Sequence, residues 1–159
     1  SMSYRFDNVI TLRTFSKCYG LAGFRVGYGF AHHTLIENLL KVKLPFEPSI
    51  PAQIAAQGAL DDAKHLENTL NINSTGIKYF YKEFEKMKLK YIPSIANFVT
   101  IVLSNSNEAN YLLENLLQKG VIVRGLSSFG LPHCIRISVG TMEENIFFIE
   151  KLKKILNIK

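Results

Sequence analysis

The chain has 159 residues, 47% of them hydrophobic and 20% charged, with ten glycines, five prolines and no tryptophan. That length suits one ordinary domain or a portion of a larger one, and apolar residues spread along the whole chain exclude intrinsic disorder. The longest apolar stretches, such as Phe98 to Leu103, fall far short of the about 20 residues a transmembrane helix needs. Nothing near the N-terminus resembles a signal peptide, and Ser1-Met2 reads as a cloning scar. The balance of 19 basic and 13 acidic residues leaves a net charge of +6. The lysines gather in helix-like stretches at 78–90 and 151–159, beside Glu83, Glu85 and Glu150, so they read as solvated helix faces rather than a nucleic-acid footprint. A modest basic excess also favours small anionic ligands. Cys18 and Cys134 have no metal-binding spacing and read as free thiols in a reducing cytoplasm, with no metal site.

Val9 to Leu12 reads as the first strand, followed by a glycine-rich stretch to Phe30. A helix is predicted over 34–43, with Leu35, Leu39 and Val42 at helical spacing. Pro45, Pro48 and Pro51 punctuate the chain after it. Residues 52 to about 90 are helical in pattern. Ile54, Ala55, Gly58 and Ala59 offer a small-residue face, and Leu66, Leu70, Ile77, Phe80, Tyr81 and Phe84 form a long apolar stripe. Strands and helices then alternate: a buried-type strand at 98–103, a helix at 107–119 closed by Gly120, a short strand at 121–124 and another at 135–139. Thr141 to Glu144 is a capping box opening a last helix, whose Phe148, Ile149, Leu152, Ile155 and Leu156 face inward. The pattern is α/β, a small sheet covered by helices.

The stretch from Thr14 to Tyr28 (TFSKCYGLAGFRVGY) is the richest in chemistry. It sets hydroxyls at Thr14 and Ser16, an amine at Lys17 and a guanidinium at Arg25 among glycines that let a ligand approach the backbone. Were Arg25 to Phe30 a strand, Val26, Tyr28 and Phe30 would share one face, and Arg25, Gly27 and Gly29 the other, leaving room above it. Hydroxyls and an arginine suit a phosphate group, and a lysine between them can attack an aldehyde when its amine is neutral. Gly27-Tyr28-Gly29 is no dinucleotide fingerprint, because His32 stands where the third glycine belongs. The pattern Ser-Lys-x-x-Gly-Leu-Ala-Gly-x-Arg-x-Gly-Tyr resembles the cofactor-lysine segment of the fold-type I, class I/II aminotransferases that use pyridoxal 5′-phosphate (PLP). The resemblance implies that Lys17 bonds the cofactor and shuttles the proton, and that Thr14, Ser16 and Arg25 hold its phosphate. Thr14 stands where many relatives carry serine.

A second informative stretch runs from Lys119 to Arg124 and from Phe129 to Thr141. With Ile135, Ile137 and Val139 inward, Arg136 and Ser138 lie on the opposite face, where an arginine serves either an anionic ligand or a salt bridge. These residues resemble the C-terminal region of histidinol-phosphate aminotransferases. That resemblance implies that Arg136 takes the substrate anion and that Arg124 lies near the substrate phosphate. One clamp would then receive the carboxylate of glutamate or 2-oxoglutarate in one half-reaction and the phosphate of a phosphorylated amino alcohol in the other. Asn97, in Ala96-Asn97-Phe98, also fits the family near the cleft, although a structural cap explains it equally.

By the same resemblance the chain is the C-terminal part of the fold: residues 1–48 end the large PLP-binding domain, 49–90 are connecting helices, and 91–159 are the small α/β domain. The parent protein is expected to carry out histidinol-phosphate:2-oxoglutarate transamination in histidine biosynthesis. A threonine-phosphate decarboxylase or an aromatic aminotransferase of the same fold is one alternative, and a non-catalytic α/β module is another. Lacking a ring carboxylate and a stacking aromatic, the isolated chain is expected to be inactive. It is also expected to self-associate as a homodimer or larger through its exposed strand edge and helix face.

Overall fold

The computed structural model of the chain describes residues 5–158. They fall into two units that divide between Thr69 and Leu70.

In the first unit, β1 (Thr11–Thr14) and β2 (Gly27–Phe30) form a two-stranded antiparallel ribbon, followed by helices α1 (His33–Val42) and α2 (Ile50–Asp61). The ribbon pairs Thr11 with Phe30 and Thr14 with Gly27. This register places β1 two residues later than the apolar run at 9–12 suggests, because only residues 11–14 face a partner strand. Arg25 lies outside β2. It closes a 3-10 turn over Ala22–Phe24 in the left-handed conformation, at φ 53°. Ser49 caps α2, its hydroxyl accepting from the Ala52 amide, with Pro51 in the first turn. The face α2 buries carries Ala52 and Ala56, while Ile54 is 64% exposed and nothing lies within 4 Å of a side chain added at Gly58. The buried cluster of this unit is Phe15, Val26, Ala52 and Ala56. Helix α1 buries no residue fully.

Helix α3 (Ala63–Lys86) leads into the second unit. Its elements are β3 (Lys90–Ile92), β4 (Phe98–Val102), α4 (Ser106–Gln118), β5 (Arg124–Leu126), β6 (Leu131–Ser138) and α5 (Met142–Ile155). The sheet is antiparallel throughout, in the order β3-β4-β6-β5. Strand alternation sorts its two faces. Val99, Ile101, Ile135 and Ile137 point into a sixteen-residue core with Ile77, Phe80 and Phe84 of α3, Leu112 and Leu116 of α4, and Phe148, Ile149 and Leu152 of α5. Phe98, Thr100, Arg136 and Ser138 take the other face.

The capping box forms as the sequence predicts: Glu144 donates its amide to the Thr141 hydroxyl and accepts from the Thr141 amide. Gly120 follows α4 at φ 79°, a left-handed position that glycine adopts without strain. Glu83 is the charged residue buried in this unit, and its carboxylate accepts from Lys86 of its own helix and from Lys153 of α5, at 2.5 and 2.6 Å. Those donors hold its pKa below the ordinary glutamate value, against the upward push of burial.

The strand expected at 121–124 is the main departure, for only Arg124 joins the ladder. Val121 donates its amide to Leu116 at the end of α4, and Val139 donates to Asn97 across β4. A cavity of about 600 Å³ opens between Val121–Val123 and Ile137–Val139. Because Val139 bonds toward β4, alternation turns the backbone groups of Ser138 the other way, to where β5's ladder has already ended. Strand β3 is a further element the sequence pattern did not separate from the preceding helix.

Candidate functional site

The ribbon brings Thr14, Ser16, Lys17 and Arg25 to one end. The Phe15 amide bonds the Val26 carbonyl at 3.3 Å, and the Leu21 amide bonds the Phe15 carbonyl at 3.0 Å, so the loop between the strands closes on itself. Ser16 and Arg25 flank that junction. The Thr14 hydroxyl donates to the Ser16 hydroxyl at 2.9 Å and accepts from the Ser16 amide at 3.0 Å. Lys17 is exposed and forms no ion pair among the described residues. Arg25 spends one N–H on the Ala22 carbonyl at 2.7 Å and keeps its other guanidinium donors for a ligand.

The glycines behave as the alternation predicts. Gly27 and Gly29 lie opposite Thr14 and Leu12, and a cavity of about 540 Å³ is lined by residues 12–14 and 27–29. A side chain at Gly27 would sit 2.5 Å from the Arg13 carbonyl oxygen, so this strand pairing admits glycine alone. Two hydroxyls, an amine outside any ion pair among the described residues and a guanidinium with donors to spare suit a phosphorylated aldehyde. These residues fit PLP.

In the second unit, Arg136 and Arg124 stand directly opposite each other on β6 and β5, and Thr100 stands opposite Arg136 on its other side. All three therefore lie in one row on the face away from the core. Like charges placed directly across a sheet repel. The three ion pairs among the described residues involve neither arginine. The Arg136 guanidinium carbon lies 4.8 Å from the Phe98 ring centroid, and that of Arg124 lies 5.7 Å from the Phe129 centroid. The Arg136 Nε is buried with no acceptor.

Asn97 precedes β4, exposed, with its backbone carbonyl accepting from Val139. Its side chain caps no helix. The loop before it is fixed from α3, where Asn73 donates to the Ala96 carbonyl and the Tyr81 hydroxyl accepts from the Ser94 amide at 2.6 Å. Sequence reasoning missed the phenylalanines under the arginines. Phe98 could have been found by counting two residues from Thr100 along one strand face, but the neighbour that brings Arg136 over it comes from the sheet register.

The chain belongs to the aminotransferase class I and II family, whose model matches residues 4–152. Among individual relatives, it is 44% identical, over 95% of its length, to the histidinol-phosphate aminotransferase of Caldicellulosiruptor saccharolyticus, covering 42% of that protein. It is 45% identical, over 94% of its length, to the Moorella thermoacetica histidinol-phosphate aminotransferase, covering 38% of it. Among solved structures, the histidinol-phosphate aminotransferase of Sinorhizobium meliloti in complex with PLP superposes with a TM-score of 0.85 at 28% identity, over 95% of this chain and 42% of that one. The chain thus spans about two fifths of the length of the curated relatives it matches. No helix among the described residues is long and apolar enough to cross a membrane.

Proposed function

We propose that this chain is the lysine-bearing portion of a cytoplasmic, PLP-dependent histidinol-phosphate aminotransferase that exchanges an amino group with glutamate and 2-oxoglutarate in histidine biosynthesis. The observation that supports the reading is that Thr14, Ser16, Lys17 and Arg25 share the loop that closes one end of the ribbon, with Thr14 bonded to Ser16. PLP, when bound, supplies an electron sink for the carbanion formed at the substrate Cα. On binding, the Thr14 hydroxyl would turn its proton from Ser16 to the phosphate, so that both hydroxyls would donate to its oxygens, and Arg25 would neutralise their charge. Lys17 would hold the cofactor through Nζ until the substrate amine displaces it, and the freed Nζ would then take up the proton that leaves the substrate Cα. In the second unit Arg136, with Arg124 beside it, receives the glutamate carboxylate in one half-reaction and the substrate phosphate in the other, and Asn97 borders the place where that substrate lies.

In this proposal residues 1–48 complete the cofactor-binding domain, 49–90 connect, and 91–159 form the substrate-clamping domain of a homodimeric enzyme. The 159-residue chain by itself turns over no substrate and self-associates. Borohydride treatment of a PLP-loaded enzyme containing this chain at the relatives' full length, followed by peptide mass spectrometry, is expected to place the pyridoxyl group on Lys17. Lys17→Ala is expected to abolish both the label and glutamate formation from 2-oxoglutarate and histidinol phosphate. A label on another lysine, or undiminished turnover in Lys17→Ala, rejects the proposal. Faster turnover with aromatic amino acids than with histidinol phosphate rejects the substrate.

A further inference from the structure

We propose that Phe98 is a positioning residue that locks the Arg136 guanidinium in the orientation that receives an oxyanion; this rests on the reading of Arg136 as an anion clamp. Three observations converge on it. First, β4 and β6 are in register with Thr100 opposite Arg136 and Phe98 opposite Ser138, so Phe98 is the diagonal neighbour of Arg136 on the same sheet face. Second, the guanidinium carbon lies 4.8 Å from the Phe98 ring centroid, within range of a cation–π contact. Third, the Arg136 Nε is buried without an acceptor, which leaves the two Nη groups as the end of the fork a ligand can reach.

Left to itself, Arg136 has two reasons to swing away. Its Nε–H forgoes a hydrogen bond that water would supply, and Arg124 directly opposite repels it. No carboxylate within ion-pairing distance among the described residues opposes either push. The negative face of the Phe98 ring does. Held over the ring, the guanidinium pays little further ordering entropy when a carboxylate or phosphate arrives, and it presents the Nη pair as a bidentate donor. Leucine or methionine at 98 would fill much of the same space but offer no π face.

The probe is inorganic phosphate titrated into the 159-residue chain, read from the arginine Nε–H resonances. In the wild-type chain the Arg136 Nε–H is expected to move on saturation. Phe98→Leu is expected to weaken phosphate binding about tenfold and to shift the Arg136 resonance even without phosphate, as the ring current disappears. Phe98→Tyr should restore both to within about twofold. Phe147→Leu, which removes the ring 4.5 Å from the Lys151 amine, should change neither. The Val99 and Ile101 amide peaks report whether each variant folds, and Phe98→Met repeats the test should Phe98→Leu fail. An unchanged dissociation constant and an unchanged Arg136 resonance in a folded Phe98→Leu or Phe98→Met chain overturn the proposal. Arg136→Ala separates the two levels. Loss of phosphate binding there, with full binding in the Phe98 variants, removes the positioning role alone. Full binding in Arg136→Ala removes the anion clamp beneath it.

Discussion

The two units put their chemistry on very different foundations. The second sets its arginine row on a four-stranded sheet whose other face shares a sixteen-residue buried core with all three of its helices. The first sets its lysine loop on a two-stranded ribbon with a buried cluster of four residues, two of them alanines. Its apolar side chains are plentiful but outward: Leu12 is 72% exposed, Val42 76% and Phe46 96%. Two strands and one small cluster rarely hold a structure by themselves. An arginine row on a full core keeps its geometry, whereas a loop on a thin one depends on whatever covers the apolar surface around it.

Three measurements can break or sharpen that contrast. The largest effect is expected in the second unit. Leu152, fully buried, touches the shared core, and Leu152→Ala should destabilise this unit by about 2–5 kcal/mol, read by hydrogen exchange at the Val99 and Ile101 amides. A loss below about 1 kcal/mol would show a looser core than the structure describes.

The next concerns Glu83, tied to Lys86 and Lys153. Glu83→Gln should cost about 2 kcal/mol at neutral pH, a value limited by the solvent exposure of the lysines. The pH dependence has a definite sign. The folded-state pKa of Glu83 is lowered, so its stabilising contribution is complete above the ordinary glutamate value and is lost as pH falls through the lower folded value. Urea unfolding of the wild-type chain should therefore weaken on acidification from about pH 5 to about pH 3, more steeply than that of Glu83→Gln. Equal slopes would remove Glu83 as the carboxylate responsible.

The smallest effect is expected in the first unit. Leu40 is 60% exposed on α1, and Leu40→Ala should change the stability of the isolated chain by less than about 0.5 kcal/mol. The same substitution should nevertheless reduce self-association, measured by static light scattering, if the outward apolar face drives it. A loss of several kcal/mol would show that α1 is packed in this chain after all.

Much of this was legible in the sequence where one local rule decides. Helix α5 announces itself through Thr141 and Glu144, and the end of α4 through Gly120, because capping is a matter of a few neighbouring residues. The Ser16-Lys17 and Arg25 spacing marked the loop, and the glycine face opposite Thr14 followed from strand alternation. The failures are non-local. Val121–Val123 has the composition of a strand, yet a strand needs a neighbour, and the ladder of β5 with β6 takes in only Arg124–Leu126, leaving 121–123 outside it. Arg25 was expected on a strand face, but it closes the 3-10 turn before β2 in the left-handed conformation, and its guanidinium bonds back to the Ala22 carbonyl. The phenylalanine rings under the arginines depend on sheet register, which no single segment encodes.

The arginine row also makes the second unit a compromise between robustness and use. Apolar β-branched residues at 124 and 136 would suit the sheet better than two cations set side by side. In the proposed role, what the row gives up in the empty state it would regain in company. An anion at one hundred times its dissociation constant would add about 2.7 kcal/mol to the folded state. If the row binds anions as proposed, the durability of this unit is partly a property of its solvent, and a phosphate-rich medium would hold the chain further from unfolding than a phosphate-free one. Substitutions that stabilise the row without an anion are expected to weaken the site, the usual exchange between stability and activity.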